Sequence, residues 1–186
     1  MSSAPVKLAA FAGSLRAASL NRKLLDLAVR HAISAGAQVD VIDLRGLAIP
    51  LYDGDLEQAS GLPEGVKVLK ERIAAAQGVM IATPEYNHSI PGVLKNALDW
   101  VSRPPSNPFR DKTVALMGAS NGMAGTVRVN YAIRPVFSAF GCWLVPGYVG
   151  IPNAAQAFDE SGNLKEDLFR TQLEAHVNTL VNRLRG

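Results

Sequence analysis

Five short apolar runs punctuate the chain: VKLAAFA from residue 6, QVDVID from 38, GVMIAT from 78, TVALMGA from 113 and CWLVPG from 142. Runs of this length, bounded by glycine, proline or polar residues, have the pattern of buried strands. Between them the spacing changes to that of helices. Leu20, Leu24, Leu27 and Ala28 fall on one helical face, and so do Val93, Leu94, Ala97, Leu98 and Val101. Strands alternating with amphipathic helices predict an α/β chain: a parallel sheet covered by helices on both faces.

Helix boundaries are expected where capping residues precede the apolar periodicity. Ser19 and Ser89 stand before two such segments. Asn163 with Glu166 three residues on resembles a capping box for a last helix carrying Leu168, Leu173, Val177, Leu180 and Leu184. A helix from Thr126 to Ala139 should be kinked or interrupted by Pro135. Three stretches, 45–62, 102–111 and 147–162, are longer than connection requires, and such loops are commonly functional. In a parallel sheet the loops that follow strands gather at the carboxyl edge, where ligands bind.

Composition narrows this picture. With 186 residues, 48% of them hydrophobic, the chain suits a single domain over 1–186, with residues 1–5 expected to be disordered. Nineteen Lys and Arg against 16 Asp and Glu leave a charge of +3 spread along the chain, not in blocks, which gives no case for nucleic acid. Cys142 is the only cysteine and sits in AFGCWLV, the setting of a buried strand thiol. The start MSSAPVK has no signal-peptide character, and no apolar run reaches membrane-span length. A cytoplasmic protein is expected.

The segment AGSLRAASLNRKLL holds the first candidate chemistry. It places Arg16, Arg22 and Lys23 around a helix start with no acidic residue before Asp26. A helix N-terminus is already partly positive, so cations there call for a bound anion. Ser14 and Ser19 offer hydroxyls, Asn21 an amide, Arg16 a planar fork of donors, and Gly13 a compact turn. The plainer reading is that Ser19 caps the helix while Arg22 and Lys23 face solvent. Gly13 is the turn's only glycine, so neither G-x-G-x-x-G nor a P-loop is present, and a monophosphate fits better than a pyrophosphate.

The second and third candidate loops follow the third and fourth strands. TPEYNHSIPGVLKNALDW carries Glu85, Tyr86 and Asn87 in a segment stiffened by Pro84 and Pro91. Stiff backbone beside an aromatic side chain suits the edge and face of a planar heterocycle. GASNGMAG carries Ser120, Asn121 and Gly122, and its glycines Gly118, Gly122 and Gly125 are expected to let backbone approach a ligand.

Together, GSLRAASLN, PEYNHSIPGVLKNALDW and SNG resemble the NADPH-dependent FMN reductase family, flavodoxin-like flavoproteins that include quinone, chromate and azo-dye reductases. The resemblance spans the chain from Lys7 to the last helix. It implies a flavodoxin-like three-layer sandwich with a five-stranded parallel sheet in the order 2-1-3-4-5, binding FMN non-covalently. By motif match, Ser14, Arg16, Ser19 and Asn21 hold the FMN phosphate. Pro84, Glu85, Tyr86 and Asn87 border the isoalloxazine ring, and Ser120, Asn121 and Gly122 flank it, largely through backbone groups. The family also associates as dimers or dimers of dimers, and VRVNYAIRPVF resembles its interface helix, with Tyr131 and Arg134 as intersubunit hydrogen-bonders; Pro135 departs from that pattern.

The chemistry implied is hydride transfer from NADPH or NADH to FMN N5, then two-electron reduction of a quinone, chromate, azo dye, free flavin or similar small acceptor. A flavin carries the redox step itself, so no catalytic side chain and no metal is required. His88, Tyr52 and Asp53 are candidates to line the substrate mouth. Arg103, Arg110 and Arg128 are candidates to recognise a 2′-phosphate, without deciding between NADPH and NADH. A non-enzymatic flavodoxin-type electron carrier and an FMN-binding regulatory protein stand as alternatives; the slightly basic charge suits recruitment of anionic NADPH better than the carrier role.

Overall fold

Alternate residues of the central strands face two different cores. The computed structural model describes residues 4–186; residues 1–3 of the segment expected to be disordered lie outside those described. β1 (Lys7–Ala12), β3 (Gly78–Ala82) and β4 (Thr113–Ala119) form the middle of a parallel sheet, with β2 (Gln38–Ile42) beyond β1 and β5 (Trp143–Leu144) beyond β4. The order is therefore β2-β1-β3-β4-β5, as expected, and β3 and β4 are buried along their whole length.

On one face Ala10, Ala12, Ala82, Ala115 and Met117 meet α1 (Leu20–Ser34) and α7 (Asp167–Arg185). On the other, the bulkier Phe11, Ile81, Val114 and Leu116 pack under α3 (Glu64–Ala74), α4 (Gly92–Val101) and α5 (Val127–Ala139). Small residues under α1 let it approach β1, β3 and β4 together, which brings its N-terminus over their carboxyl ends.

The fifth strand departs from expectation. Trp143 and Leu144 pair with Thr113 and Val114, but the chain leaves the ladder at Pro146, which has no N–H to donate, and turns through Gly147 at φ 74°. It rejoins β4 further along as β6 (Val149–Ile151), so the sheet has six strands, the fifth position being shared by two. Cys142 lies just before β5, half-buried, with its Sγ 3.3 Å from the Phe109 carbonyl. Burial and the neighbouring Asp111 push its thiol up to about 12, so it is protonated and unreactive at neutral pH.

Two helix starts and the interior of a third helix also differ. α5 runs through Pro135, which sits on the exposed side, so the forfeited bond to the Tyr131 carbonyl costs less there than it would in the core. Asn163 does not cap α7: it belongs to a turn with Asp159, and the side chain of Glu166, which precedes the helix, makes no capping bond. Ser89 does not cap α4 either, because it pairs with Tyr86 in a two-residue hairpin and the helix begins after Pro91.

The long loops contain structure of their own. Stretch 45–62 holds α2 (Gly54–Ser60), capped by the Asp53 carboxylate accepting from the Asp55 amide at 2.9 Å. It is tied to α4 where Asn96 and Trp100 both donate to the Pro50 carbonyl. Stretch 147–162 holds β6 and α6 (Ala154–Ala157). Stretch 102–111 is laced to α3 by the Lys70 ammonium, which donates to the carbonyls of Val101, Arg103 and Ser106.

Candidate functional site

The turn after β1 presents donors and almost no acceptors. Ser19 caps α1 with extended backbone, its Oγ accepting from the Arg22 amide at 3.3 Å. The amides of Leu20 and Asn21, in the first helical turn, have no acceptor among the described residues. Ser14 Oγ accepts from the Arg16 amide, and Ser120 Oγ from the Gly122 amide. Each of these three hydroxyls has thus accepted from backbone, leaving its O–H free to donate.

Of the three cations around the turn, Arg22 is ion-paired with Asp43 at 2.7 Å. Arg16 is exposed, and its guanidinium has no partner among the described residues. Lys23 is also exposed. Arg45, from the loop after β2, supports the turn by donating to the Leu15 carbonyl. Gly13 is required by crowding, not by an unusual φ: a Cβ there would stand 2.8 Å from Thr83 Oγ1.

A cleft opens between this turn and the loops following β3 and β4. Nine of the eleven expected residues line it: Ser14, Arg16, Ser19 and Asn21 from the first loop, Pro84, Glu85 and Tyr86 from the second, and Ser120 and Asn121 from the third. Asn87 and Gly122 stand outside the lining. Leu20 and Ala119 belong to it and were not anticipated. Their apolar side chains carry no chemical signal; only their places, at a helix start and at the carboxyl end of β4, could have pointed to them.

Several polar side chains of the lining face away from the cleft. Asn21 clasps the Ala119 backbone, donating to its carbonyl at 2.9 Å and accepting from its amide at 2.8 Å. Asn121 accepts from the Ala155 amide at the start of α6. Glu85 accepts from the amides of Arg128 at 2.9 Å and Val129 at 3.2 Å, and pairs with the Arg128 guanidinium at 3.0 Å. Burial alone would push the Glu85 carboxyl up, but these hydrogen bonds outweigh it and hold the group below the usual carboxylate range.

Asn87 and His88 form the tip of the Tyr86–Ser89 hairpin, both left-handed at φ 49° and 62°. His88 Nδ1 lies 3.5 Å from Glu85 Oε1. Tyr52 and Asp53 do not reach the cleft lining: Tyr52 donates to Glu57 Oε2 and packs edge-on against Trp100, and Asp53 caps α2. Among the arginines considered for a 2′-phosphate, Arg103 lies over the Tyr52 ring, Arg128 is held by Glu85, and Arg110 is exposed outside the lining. Gly118 and Gly125 serve packing, since a Cβ on Gly118 would strike the Thr83 carbonyl and Gly125 abuts Gly150. Tyr131 is exposed, while Arg134 donates to the Gly147 carbonyl within the same chain.

Residues 6–156 match the family described as NADPH-dependent FMN reductase. The chain belongs to that family. A relative in Pseudomonas aeruginosa, an NAD(P)H-dependent FMN reductase, is 40% identical over 185 residues, covering 97% of this chain and 98% of its own. A 2-hydroxy-1,4-benzoquinone reductase from a Burkholderia species is 36% identical over 179 residues and 93% of each chain. Among solved structures, a flavoenzyme NAD(P)H:(acceptor) oxidoreductase from Paracoccus denitrificans superposes with a TM-score of 0.82 at 28% identity, covering 97% of both chains. The FMN reductase family assignment agrees with the cleft's position at the carboxyl ends of β1, β3 and β4, the edge at which open parallel sheets hold their ligands.

Proposed function

We propose that this FMN reductase family member takes hydride from NAD(P)H and delivers two electrons to a quinone or a similar small acceptor, with FMN held in the cleft. The observation that carries the reading is the donor-rich turn at α1: the hydroxyls of Ser14 and Ser19, with two amides and the Arg16 guanidinium that have no acceptor among the described residues. A phosphate monoester dianion is acceptor-only, so it complements that set. FMN, when bound, supplies the two-electron chemistry at ring atom N5.

The protein's own contribution is to bind and orient. Ser14, Arg16, Ser19 and the first-turn amides near Asn21 would hold the phosphate. Pro84, Glu85, Tyr86 and Asn87 would border the ring on one side, and Ser120, Asn121 and Gly122 on the other, mainly through backbone. Loss of the ribityl phosphate would remove most of the charge recognition, so riboflavin should bind far more weakly than FMN.

The exposed Tyr131 on α5 supports association of copies through that helix, as a homodimer or homotetramer, although Arg134 is engaged within the chain. A lone half-buried thiol fits a cytoplasmic setting, and no helix among the described residues is long and apolar enough to cross a membrane.

The test is the visible spectrum of the purified protein, followed anaerobically as NADPH is added. Loss of the oxidised-flavin band, with recovery on adding a quinone, is the expected result. A yellow protein that NADPH does not bleach would favour a carrier or regulatory role, and a protein that takes up no FMN would overturn the reading.

A further inference from the structure

Helix α5 begins without a cap of its own. Thr126, which precedes it, is left-handed at φ 68°, and its side chain bonds no helical amide. The missing acceptor comes from Glu85, more than forty residues earlier, whose carboxylate takes the amides of Arg128 and Val129 and the Arg128 guanidinium. A carboxylate at this end of a helix is favoured by the free amides and by the helix dipole together. The Glu85 side chain is only 9% exposed, and Pro84 before it is buried. Neither Arg128 nor Val129 lines the cleft, yet Glu85 does, with Pro84 and Tyr86 on either side of it.

We infer that Glu85 is a positioning residue that locks the ring-bordering loop to the first turn of α5, so that cofactor binding and the order of that turn are coupled. This rests on the reading that FMN occupies the cleft. Coupling of this kind is reciprocal. Whatever fixes the loop must tighten the helix start, and whatever frees the helix start must loosen the loop.

The deciding experiment uses the full-length apoprotein titrated with FMN, read by quenching of flavin fluorescence, alongside hydrogen–deuterium exchange of the wild type with and without FMN. Exchange at the α5 first turn, including Val129, should slow when FMN binds. Glu85→Ala should weaken FMN binding about tenfold, and Glu85→Gln, which keeps an oxygen for the two amides, should stay within about threefold of the wild type. Ser138→Gly, near the other end of α5, should lower the melting temperature and leave FMN affinity unchanged, which separates coupling from general weakening of the helix.

Unchanged exchange at α5, or a folded Glu85→Ala variant with wild-type affinity, would overturn the inference. So would a Ser138→Gly variant that loses as much FMN affinity as Glu85→Ala. Should Glu85→Ala fail to fold, the wild-type exchange measurement and Glu85→Gln still decide it. A wild type that binds no FMN would instead defeat the proposed function and would be recognised as such.

Discussion

Asn21 and Arg16 lie in the same turn but differ in what they do. Asn21 satisfies both backbone groups of Ala119 in a buried setting, so Asn21→Ala leaves a buried donor and acceptor unpaired and should cost about 1–3 kcal/mol of stability, measurable by urea denaturation. Arg16 holds nothing together among the described residues, and Arg16→Ala should leave stability within about 0.5 kcal/mol while weakening FMN binding about tenfold or more, read by fluorescence titration. His176 is a third kind of residue. Burial lowers it to about 4 from the ordinary 6.5, and its Nε2 has no partner among the described residues. The unfolded chain therefore binds a proton that the folded one refuses. Stability is full above about pH 6.5 and falls as pH drops toward 4, by up to about 3 kcal/mol at the limit. His176→Met should flatten that part of a pH–stability curve.

Element by element, what could be read from sequence was what repeats. Periodicity located the apolar faces of α1 and α4, and the alternation of strand and helix gave the sheet its direction. The loop residues that gather at the cleft were legible because serine, arginine and the PEYN segment carry chemistry of their own, and because family resemblance supplied their roles. What escaped was decided by pairings that side-chain periodicity does not show, some distant in sequence and some within a single turn. Glu85 reads as a loop carboxylate until α5 is seen to begin beside it, and Ser89 and Asn163 read as caps until each is found paired in a turn. The break in the fifth strand was written in Pro146, but the return to β4 at Met117 was not. Pro135 was expected to kink or interrupt α5; the helix runs on through it, with Pro135 on the side that faces solvent. Pro135→Ala should restore one backbone bond and raise stability by about 1–3 kcal/mol, checked by thermal melting.

Two apolar cores lie on either side of one sheet, and the cleft opens at the sheet's carboxyl edge, where Ala119 and Leu20 bring one of them to its floor. Its walls come from three segments, after β1, β3 and β4, that the sheet brings together. A ligand that touches all three adds connections between parts of the chain far apart in sequence. FMN at a hundred times its dissociation constant should raise unfolding stability by about 2.7 kcal/mol, with a matching rise in melting temperature, and riboflavin at the same concentration should raise it much less. Because Asn21, Glu85 and Asn121 line the cleft while their side chains bond backbone of neighbouring elements, damage there has an unusual signature. In a random library sorted for yellow cells, changes at Asn21 would register mainly as failures to accumulate protein, grouped with the hydrophobic interior, those at Glu85 and Asn121 would mix lower abundance with weaker colour, and Arg16 would stand apart as abundant but pale.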